Sequence, residues 1–234
     1  MKKSLKNSAA IAAVLVLLLS LNSEMNAQPV KEEHSNESSL SYELGMSVSK
    51  LPRSIVGEEI SQIPMLELGV SYKMNQRVKF YSKLSSCYLA NCMKVGAECL
   101  LVDGKVQLYV GNEYKVCYGN AQMDGFDATN IRLVNAPKVK AGIMNDLMDV
   151  YLSGSVNLQH YEKSTFGNHE LPGRAVHISG AEGSLELVYK DLGVGDLVIG
   201  FSLQYSEPDY KTWLAFSEKM QWNLVPKISL GLKL

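Results

Sequence analysis

The sequence predicts an all-β protein, a closed antiparallel transmembrane β-barrel of ten strands, with eight to twelve strands as the possible range. Three observations lead to this prediction. Apolar and polar residues alternate in many segments, tight turns join these segments in four places, and longer polar stretches join them elsewhere. After the N-terminal region no stretch of 18 apolar residues occurs in the 234-residue chain, so no transmembrane helix is expected there.

The first 27 residues have the parts of a secretory signal peptide. Three lysines lie within Met1 to Lys6, Ala9 to Leu21 is almost wholly apolar, and Ala27 ends a candidate cleavage site. The apolar part is too short for a transmembrane helix of about 20 residues. We therefore expect a signal peptide over residues 1–27, a flexible lead-in over residues 28–39 and the barrel over residues 40–234.

Period-two alternation separates two faces in each candidate strand. In the last segment Leu230 falls on an apolar face, while Lys227 and Ser229 fall on the opposite face. The ten predicted strands are Leu40–Ser49, Ile63–Met74, Val78–Cys87, Cys92–Val102, Lys105–Tyr118, Lys138–Met144, Asp149–Tyr161, Arg174–Tyr189, Val194–Ser206 and Val225–Leu234.

Two of the four tight turns carry specific turn chemistry. Asp103-Gly104 predicts a two-residue type I′ turn that pairs Cys99 with Leu108. Asp191-Leu192-Gly193 predicts a three-residue turn with its glycine in the left-handed conformation. The other two turns lie near Asn75-Gln76 and Asn145-Asp146.

The connections at the opposite end are mostly longer, which is the asymmetry of an outer-membrane barrel. They are Lys50–Gln62, the short Tyr88–Asn91, Gly119–Pro137, Glu162–Gly173 and Glu207–Leu224. The stretch Tyr210–Trp222 could instead form a further hairpin, which would give twelve strands.

With its signal peptide, alternating strands, loop asymmetry and closing segment Pro226–Leu234, the chain resembles the small outer-membrane β-barrel proteins of Gram-negative bacteria. The resemblance covers most of the mature sequence. It implies a location in the cell outer membrane, with membrane lipid as a partner, and it carries no functional residue over.

Aromatic residues on the apolar face fall near the two strand ends, as interfacial belts require. Tyr42, Tyr72, Phe80 and Tyr189 lie toward the tight turns, and Tyr114, Tyr118 and Tyr205 lie toward the long connections. A soluble sandwich or lipocalin-like barrel shows the same alternation with its apolar face turned inward, and it is the main structural alternative.

The polar face carries charges of both signs, which can neutralise each other inside a narrow barrel. These inward residues are Glu43, Glu67, Lys83, Lys94, Glu98, Lys140, Glu186, Lys227 and Lys233. A filled interior is therefore predicted, with a narrow solute channel as the alternative. The balance of 23 basic and 24 acidic residues gives no indication of nucleic acid as a partner.

Three cysteines are expected on the inward face near the long connections. Cys87 and Cys92 flank a short loop, which favours a disulfide between them, and Cys117 falls near the same rim. Cys99 is expected to face lipid. No histidine or carboxylate with ligand spacing accompanies the thiols, so neither a metal site nor a cofactor is predicted.

The sequence predicts a structural or surface-interaction role, and a ligand or protein could bind the outer loops. Gly119–Pro137 and Glu207–Leu224 are the candidate contact loops, the second containing Trp213, Phe216 and Trp222. Some ten-stranded outer-membrane barrels are proteases with Asp and His pairs at the rim. The residues Asp124, Asp127, His160, His169, His177 and Asp209 form no comparable motif, so a rim hydrolase is an alternative only, as is a soluble periplasmic binding protein.

Overall fold

The computed structural model describes residues 39–50, 62–87, 90–123, 126–171, 173, 175–207 and 222–234. The predicted signal peptide lies outside these residues, as do most of the lead-in and the possible hairpin over residues 210–221. The described strands are β1 (Ser39–Lys50), β2 (Gln62–Lys73), β3 (Val78–Ser86), β4 (Ala90–Val102), β5 (Val106–Met123), β6 (Phe126–Ile143), β7 (Met148–Phe166), β8 (His169–Leu171), β9 (His177–Tyr189), β10 (Asp196–Ser206) and β11 (Asn223–Lys233). Within this part of the chain, no helix has the length and apolar character needed to cross a membrane.

Ten of these strands close into an antiparallel barrel, as predicted. Each of β1 to β6 pairs with the next strand, β7 pairs with β9, and β11 returns to β1. The three-residue β8 pairs only with the far end of β7 and takes no part in closure. In the closing pair Glu43 lies opposite Lys233 and Ser49 opposite Lys227, so the first and last strands of the barrel are joined along their length.

The alternation of the sequence separates the outside of the barrel from its interior. Outward residues such as Leu66 and Leu152 are 61% and 63% exposed, whereas the inward Glu67 is 2% exposed. A soluble barrel has the reverse arrangement, with its apolar side chains inside. The described barrel therefore has a lipid-facing surface, and the lipocalin-like alternative is wrong.

Outward aromatic side chains lie near both ends of the barrel, in agreement with two interfacial belts. Tyr72 lies opposite Phe80 across β2 and β3 at the tight-turn end. At the other end the rings of Tyr205 and Trp222 meet edge to face, with centroids 5.3 Å apart.

The β4–β5 hairpin differs from its predicted register. The connection is longer than two residues, since Val102 lies opposite Leu108, and a bulge follows between Leu100 and Val102, so Cys99 lies opposite Val110 and not opposite Leu108. Beyond the bulge the net displacement is two residues, which preserves the face of each side chain there, so the alternation gave no sign of it. In the β9–β10 turn, Gly193 has the predicted left-handed conformation, with φ 82°.

Three strands are longer than predicted and extend past their neighbours at the long-connection end. β5 and β6 have 18 residues each and β7 has 19. Most of the predicted outer loop Gly119–Pro137 is therefore strand, and the predicted loop Glu162–Gly173 is largely the β7–β8 hairpin.

The polarity of β6 explains the incorrect loop prediction. Asn135 points outward while the buried Val134 and Ala136 point inward, which reverses the apolar and polar faces locally. Pro137 has no amide hydrogen, and the β6–β7 ladder has no registered pairs at Ala136 and Pro137. On its other side Pro137 still lies opposite Asn112 of β5.

A substitution of Leu230 tests the lipid-facing register. Leu230→Arg should lower the free energy of unfolding by roughly 2 to 4 kcal/mol, because the charge would enter the apolar part of the bilayer. Urea unfolding in lipid vesicles measures this difference. Leu230→Ala is the matched control, since it shortens the side chain without adding charge. Equal losses for the two variants would contradict the outward position of Leu230.

Candidate functional site

The candidate site is the barrel lumen together with its long-connection rim. All nine charged residues that the sequence analysis placed inside line a cavity of about 290 Å³. The structure adds Lys79, Glu113, Lys138 and Glu182 to this lining. Lys79, Lys138 and Glu182 share the inward face of their strands with one of the nine, and Glu113 shares it with Cys117, so alternation alone could have identified them.

Glu67 is the centre of the first ion-pair group. Lys83 Nζ lies 2.8 Å from Glu67 Oε2 and 2.8 Å from Glu43 Oε1, and Lys227 pairs with Glu67 Oε1. Ser47 Oγ donates a hydrogen bond of 2.6 Å to Glu67. These residues come from β1, β2, β3 and β11, so the group links side chains on both sides of the closing strand pair.

A second group surrounds Glu113 of β5. Lys94 Nζ and Lys115 Nζ lie 3.7 Å and 3.8 Å from Glu113 Oε1, and the Tyr81 hydroxyl donates to Oε2 at 3.0 Å. Lys115 also lies 2.9 Å from Glu182 Oε2 on β9. Because β6 and β7 separate β5 from β9, this contact passes through the lumen.

Nearer the tight turns, further pairs skip an intervening strand. Lys138 of β6 lies 2.8 Å from Glu98 of β4, and Lys140 of β6 lies 3.4 Å from Glu186 of β9. The Lys140 ammonium also lies 4.0 Å from the centre of the Tyr151 ring. These contacts place charged side chains inside the lumen and not flat against its wall.

At the long-connection end the interior is filled by a hydrogen-bonded polar group. Arg132 and Gln159 are each 1% exposed, and Arg132 Nε donates to Gln159 Oε1 at 2.9 Å. Gln159 Nε2 in turn donates to Glu162 Oε2 at 2.7 Å, and Asn130 Nδ2 donates to Ser164 Oγ at 2.7 Å.

A small apolar cluster lies at the same end of the interior, near the opposite wall. It consists of Ile63, Met65, Ala90 and Val225, with Cys87 packed against it. The polar group and the apolar cluster together reduce the open section of the lumen at this rim.

The disulfide joins Cys92 to Cys117, so the predicted Cys87–Cys92 bond is wrong. Cys92 and Cys117 lie directly opposite each other on β4 and β5, with their Cα atoms 4.1 Å apart. Cys87 donates its amide hydrogen to Ala90 at 2.9 Å, which puts it opposite Ala90 and only diagonal to Cys92. Cys87 and Cys99 are free thiols.

The rim residues considered for catalysis do not form a recognisable centre among the described residues. Asp124 and Asp209 lie outside the described part. His160 occupies a bulge in β7, and Asp127 and His169 lie on exposed hairpins. His177 meets a glutamate instead of an aspartate: its Nε2 is 3.2 Å from Glu207 Oε1, and its Nδ1 is 2.9 Å from the Ala175 carbonyl.

In the described part of the chain, no three His, Cys, Asp or Glu side chains come together in a way that could hold a metal ion.

Solved structures similar to this chain are outer-membrane β-barrels. Neisserial surface protein A is 10% identical, with 85% of this chain and 98% of that chain covered and a TM-score of 0.40. The outer membrane protease OmpT from Escherichia coli is 8% identical, with 84% and 95% covered and a TM-score of 0.42. The translocator domain of the autotransporter NalP from Neisseria meningitidis is 9% identical, with 97% of both chains covered and a TM-score of 0.34.

No protein-family model and no curated protein matches this chain. Its own structure has a closed barrel of ten strands and an apolar outer surface with aromatic side chains near both ends. The protein is a closed antiparallel transmembrane β-barrel of ten strands. The similarities above concern architecture and transfer no residue role.

Loss of the Glu67 charge should destabilise the barrel. Glu67→Gln leaves Lys227 without its carboxylate partner in the interior, and breaking a buried ion pair in this way costs roughly 3 to 5 kcal/mol. Equilibrium unfolding in urea measures the effect. Glu186→Gln is the control, because the Glu186 side chain is 41% exposed and Lys140 keeps its contact with Tyr151. If Glu186→Gln proved as unstable as Glu67→Gln, the larger contribution to stability that we assign to the buried Glu67 would be wrong.

The disulfide assignment predicts a specific labelling pattern. Alkylation of the unfolded, unreduced protein should modify Cys87 and Cys99 only, and a peptide map should join Cys92 to Cys117. Cys117→Ser should lower stability by about 3 kcal/mol, the value expected for a loop of this length, while Cys99→Ser should have little effect. Recovery of a Cys87–Cys92 peptide would contradict the observed pairing.

Proposed function

We propose that this protein is a structural outer-membrane barrel that supports surface interactions through its long-connection end and does not conduct solutes. The observation that carries the proposal is the set of ion pairs that pass through the lumen. Lys115–Glu182, Lys138–Glu98 and Lys140–Glu186 each join strands that are not neighbours.

The size of the remaining space supports a closed interior. A cavity of about 290 Å³ holds on the order of ten to twenty water molecules, far from a continuous wide channel. A cation or anion pore usually collects charges of one sign, whereas these side chains neutralise one another in pairs. The buried Arg132–Gln159–Glu162 group adds a second obstruction at the rim.

The extended hairpins support the surface part of the proposal. β5, β6 and β7 continue beyond the ends of β4 and β9 and form a paired sheet, so this region is a more rigid platform than a loop. At the edge of this platform, an ion pair of 3.1 Å between Lys163 Nζ and Glu170 Oε2 joins β7 to β8. An extracellular ligand or protein is the partner that we propose for this platform.

A narrow solute channel is the alternative function, and it is distinguished by conductance. The proposal assigns no catalytic role to the rim. In support, both ring nitrogens of His177 already face acceptor oxygens, which leaves neither nitrogen open to act on a substrate.

Planar-bilayer recording tests the closed interior. The wild-type protein should show no large, steady conductance, because ion pairs cross its lumen and buried side chains narrow the rim. The double variant Arg132→Ala, Gln159→Ala should conduct more often or more strongly, since it removes two large buried side chains from the rim. Glu170→Ala on the exposed hairpin is the matched control and should remain closed.

Deletion of residues 121–128 tests whether the barrel folds and stays closed without the tip of the surface platform. The variant should fold and remain closed, because this hairpin tip lies beyond the end of β4.

A stable open channel in the wild-type protein, with ion preference that changes in Glu98 or Lys115 variants, would replace the proposal with a small porin.

A further inference from the structure

Polar side chains occupy one part of the lipid-facing surface, on β5 and β6. Asn112 is exposed there, Tyr114 lies two residues farther along β5 and is 51% exposed, and Asn135 of β6 lies directly opposite Tyr114. These three residues are called the polar patch. On the far side of the barrel, the described outward residues of β1, β2, β10 and β11 between the aromatic belts are apolar. The polar patch is therefore a local feature of one wall.

The polar patch lies between the two aromatic belts. The cross-strand row through Asn112 begins at Phe80 in the tight-turn belt and ends at Tyr205 in the long-connection belt. The β6–β7 register is the same on both sides of the interruption at Pro137, which carries the row across to β7. The members of the row between the belts are Ala97, Asn112, Pro137, Val156 and Ala181. Asn112 therefore lies at a depth where a bilayer consists of hydrocarbon.

The polar groups of the patch are not hydrogen-bonded within the described part of the chain. This applies to the Asn112 amide and to the Tyr114 hydroxyl. The Nδ2 atom of Asn135 is shielded from solvent and also has no hydrogen-bond partner there. An amide without a partner is costly in hydrocarbon, because neither water nor lipid chains can bind it at this depth. The patch therefore indicates that another molecule supplies hydrogen bonds on this wall.

The backbone beside the patch is a second departure from a regular lipid-facing wall. Pro137 lies opposite Asn112, and the β6–β7 ladder has no registered pairs at Ala136 and Pro137. An interruption of a ladder is better tolerated in a membrane where protein covers it than where lipid does. The interrupted ladder and the polar side chains occupy the same place, so one covering molecule would protect both.

We propose that the polar patch is the interface between two copies of this protein, related by a two-fold axis along the membrane normal. Copies inserted in the same orientation bring their patches to the same depth, so an amide meets an amide. A carboxamide both donates and accepts, and Asn112 can therefore bond to its equivalent in the second copy in both directions. The small Ala97 and the ring of Pro137 flank Asn112, which allows the two walls to approach closely.

Other occupants of the wall meet these requirements less well. An acyl chain has no hydrogen-bonding group, and a lipid headgroup lies at the level of the aromatic belts and not at the level of Asn112. An unrelated membrane protein would need polar groups that match the patch in depth and spacing. A second copy has this match by symmetry.

Association in vesicles tests the interface with the full-length barrel. Asn168→Cys on the exposed β7–β8 turn, in a Cys87→Ser, Cys99→Ser background, carries either a donor or an acceptor dye. Energy transfer is recorded while lipid is added, which gives the protein-to-lipid ratio at which half of the protein is dimeric. With the patch intact, transfer should exceed the value for randomly placed barrels and should fall on dilution.

Variants of the patch should change this midpoint. The double variant Asn112→Leu, Asn135→Leu should need a protein-to-lipid ratio about tenfold higher, because each copy loses two amides that bond within the membrane. Asn112→Gln keeps an amide and should stay within about threefold of the unaltered patch. Tyr42→Leu is the matched control, since it removes an outward hydroxyl on β1, four strands away from β5.

Crosslinking locates the contact independently. Asn112→Cys in the same background, without the dye site, should give about fivefold more dimer with a bismaleimide than Ile228→Cys, which lies outward on β11 at the far side of the barrel. Heat-modified migration verifies that each variant is folded.

Three outcomes would overturn the proposal. Energy transfer with the intact patch could equal the random value at every ratio, or the double leucine variant could keep the original midpoint. Equal crosslinking at positions 112 and 228 would show that the barrels meet without a preferred wall.

Discussion

The structure depends on the requirement that every backbone amide and carbonyl within a membrane be hydrogen-bonded inside the protein. A β-sheet meets this requirement only when it has no free edge, so β11 must return to β1. The side chains reinforce the same junction from inside. Glu67 binds Lys83 of β3 and Lys227 of β11, which lie on opposite sides of the β1–β11 junction, and Ser47 of β1 also donates a hydrogen bond to Glu67.

The lipid surroundings of the closed barrel also explain why its interior is polar and filled with side chains. A barrel in lipid has its apolar residues outside, so its interior must accommodate charged side chains at low cost, and pairing them is the available solution. Where the pairs join distant strands, as Lys115 does with Glu182, the same contact that stabilises the barrel also occupies its lumen. The side chains that stabilise the barrel therefore occupy the space that a conducting pore would need. This is the physical basis of our proposal that the function lies on the outer surfaces.

Alternation and turn residues were sufficient to predict the barrel, the number of strands and the face of most residues in the predicted strands. They were insufficient where the register depends on the length of a turn and on a bulge. The long connection after Val102 and the bulge near Leu100 together place Cys117 opposite Cys92, whereas a two-residue turn would place Lys115 there, and the disulfide changes accordingly. β6 was missed because Asn135 and Pro137 have the composition of a loop, although pairing with β5 on one side and β7 on the other holds them extended.

The structure shows which glycines are required by close packing, which the sequence alone does not show. In the sequence Gly111, Gly154 and Gly183 look alike, each within an alternating strand. Of these three, only Gly111 is required by close packing, since a Cβ there would collide with the Ala97 carbonyl. Gly154 and Gly183 have room for larger side chains, and their effect is to lower the outer surface between Val139 and Leu203. The shape of that surface is therefore determined by side-chain size and not by the backbone, and it can be changed without altering the fold.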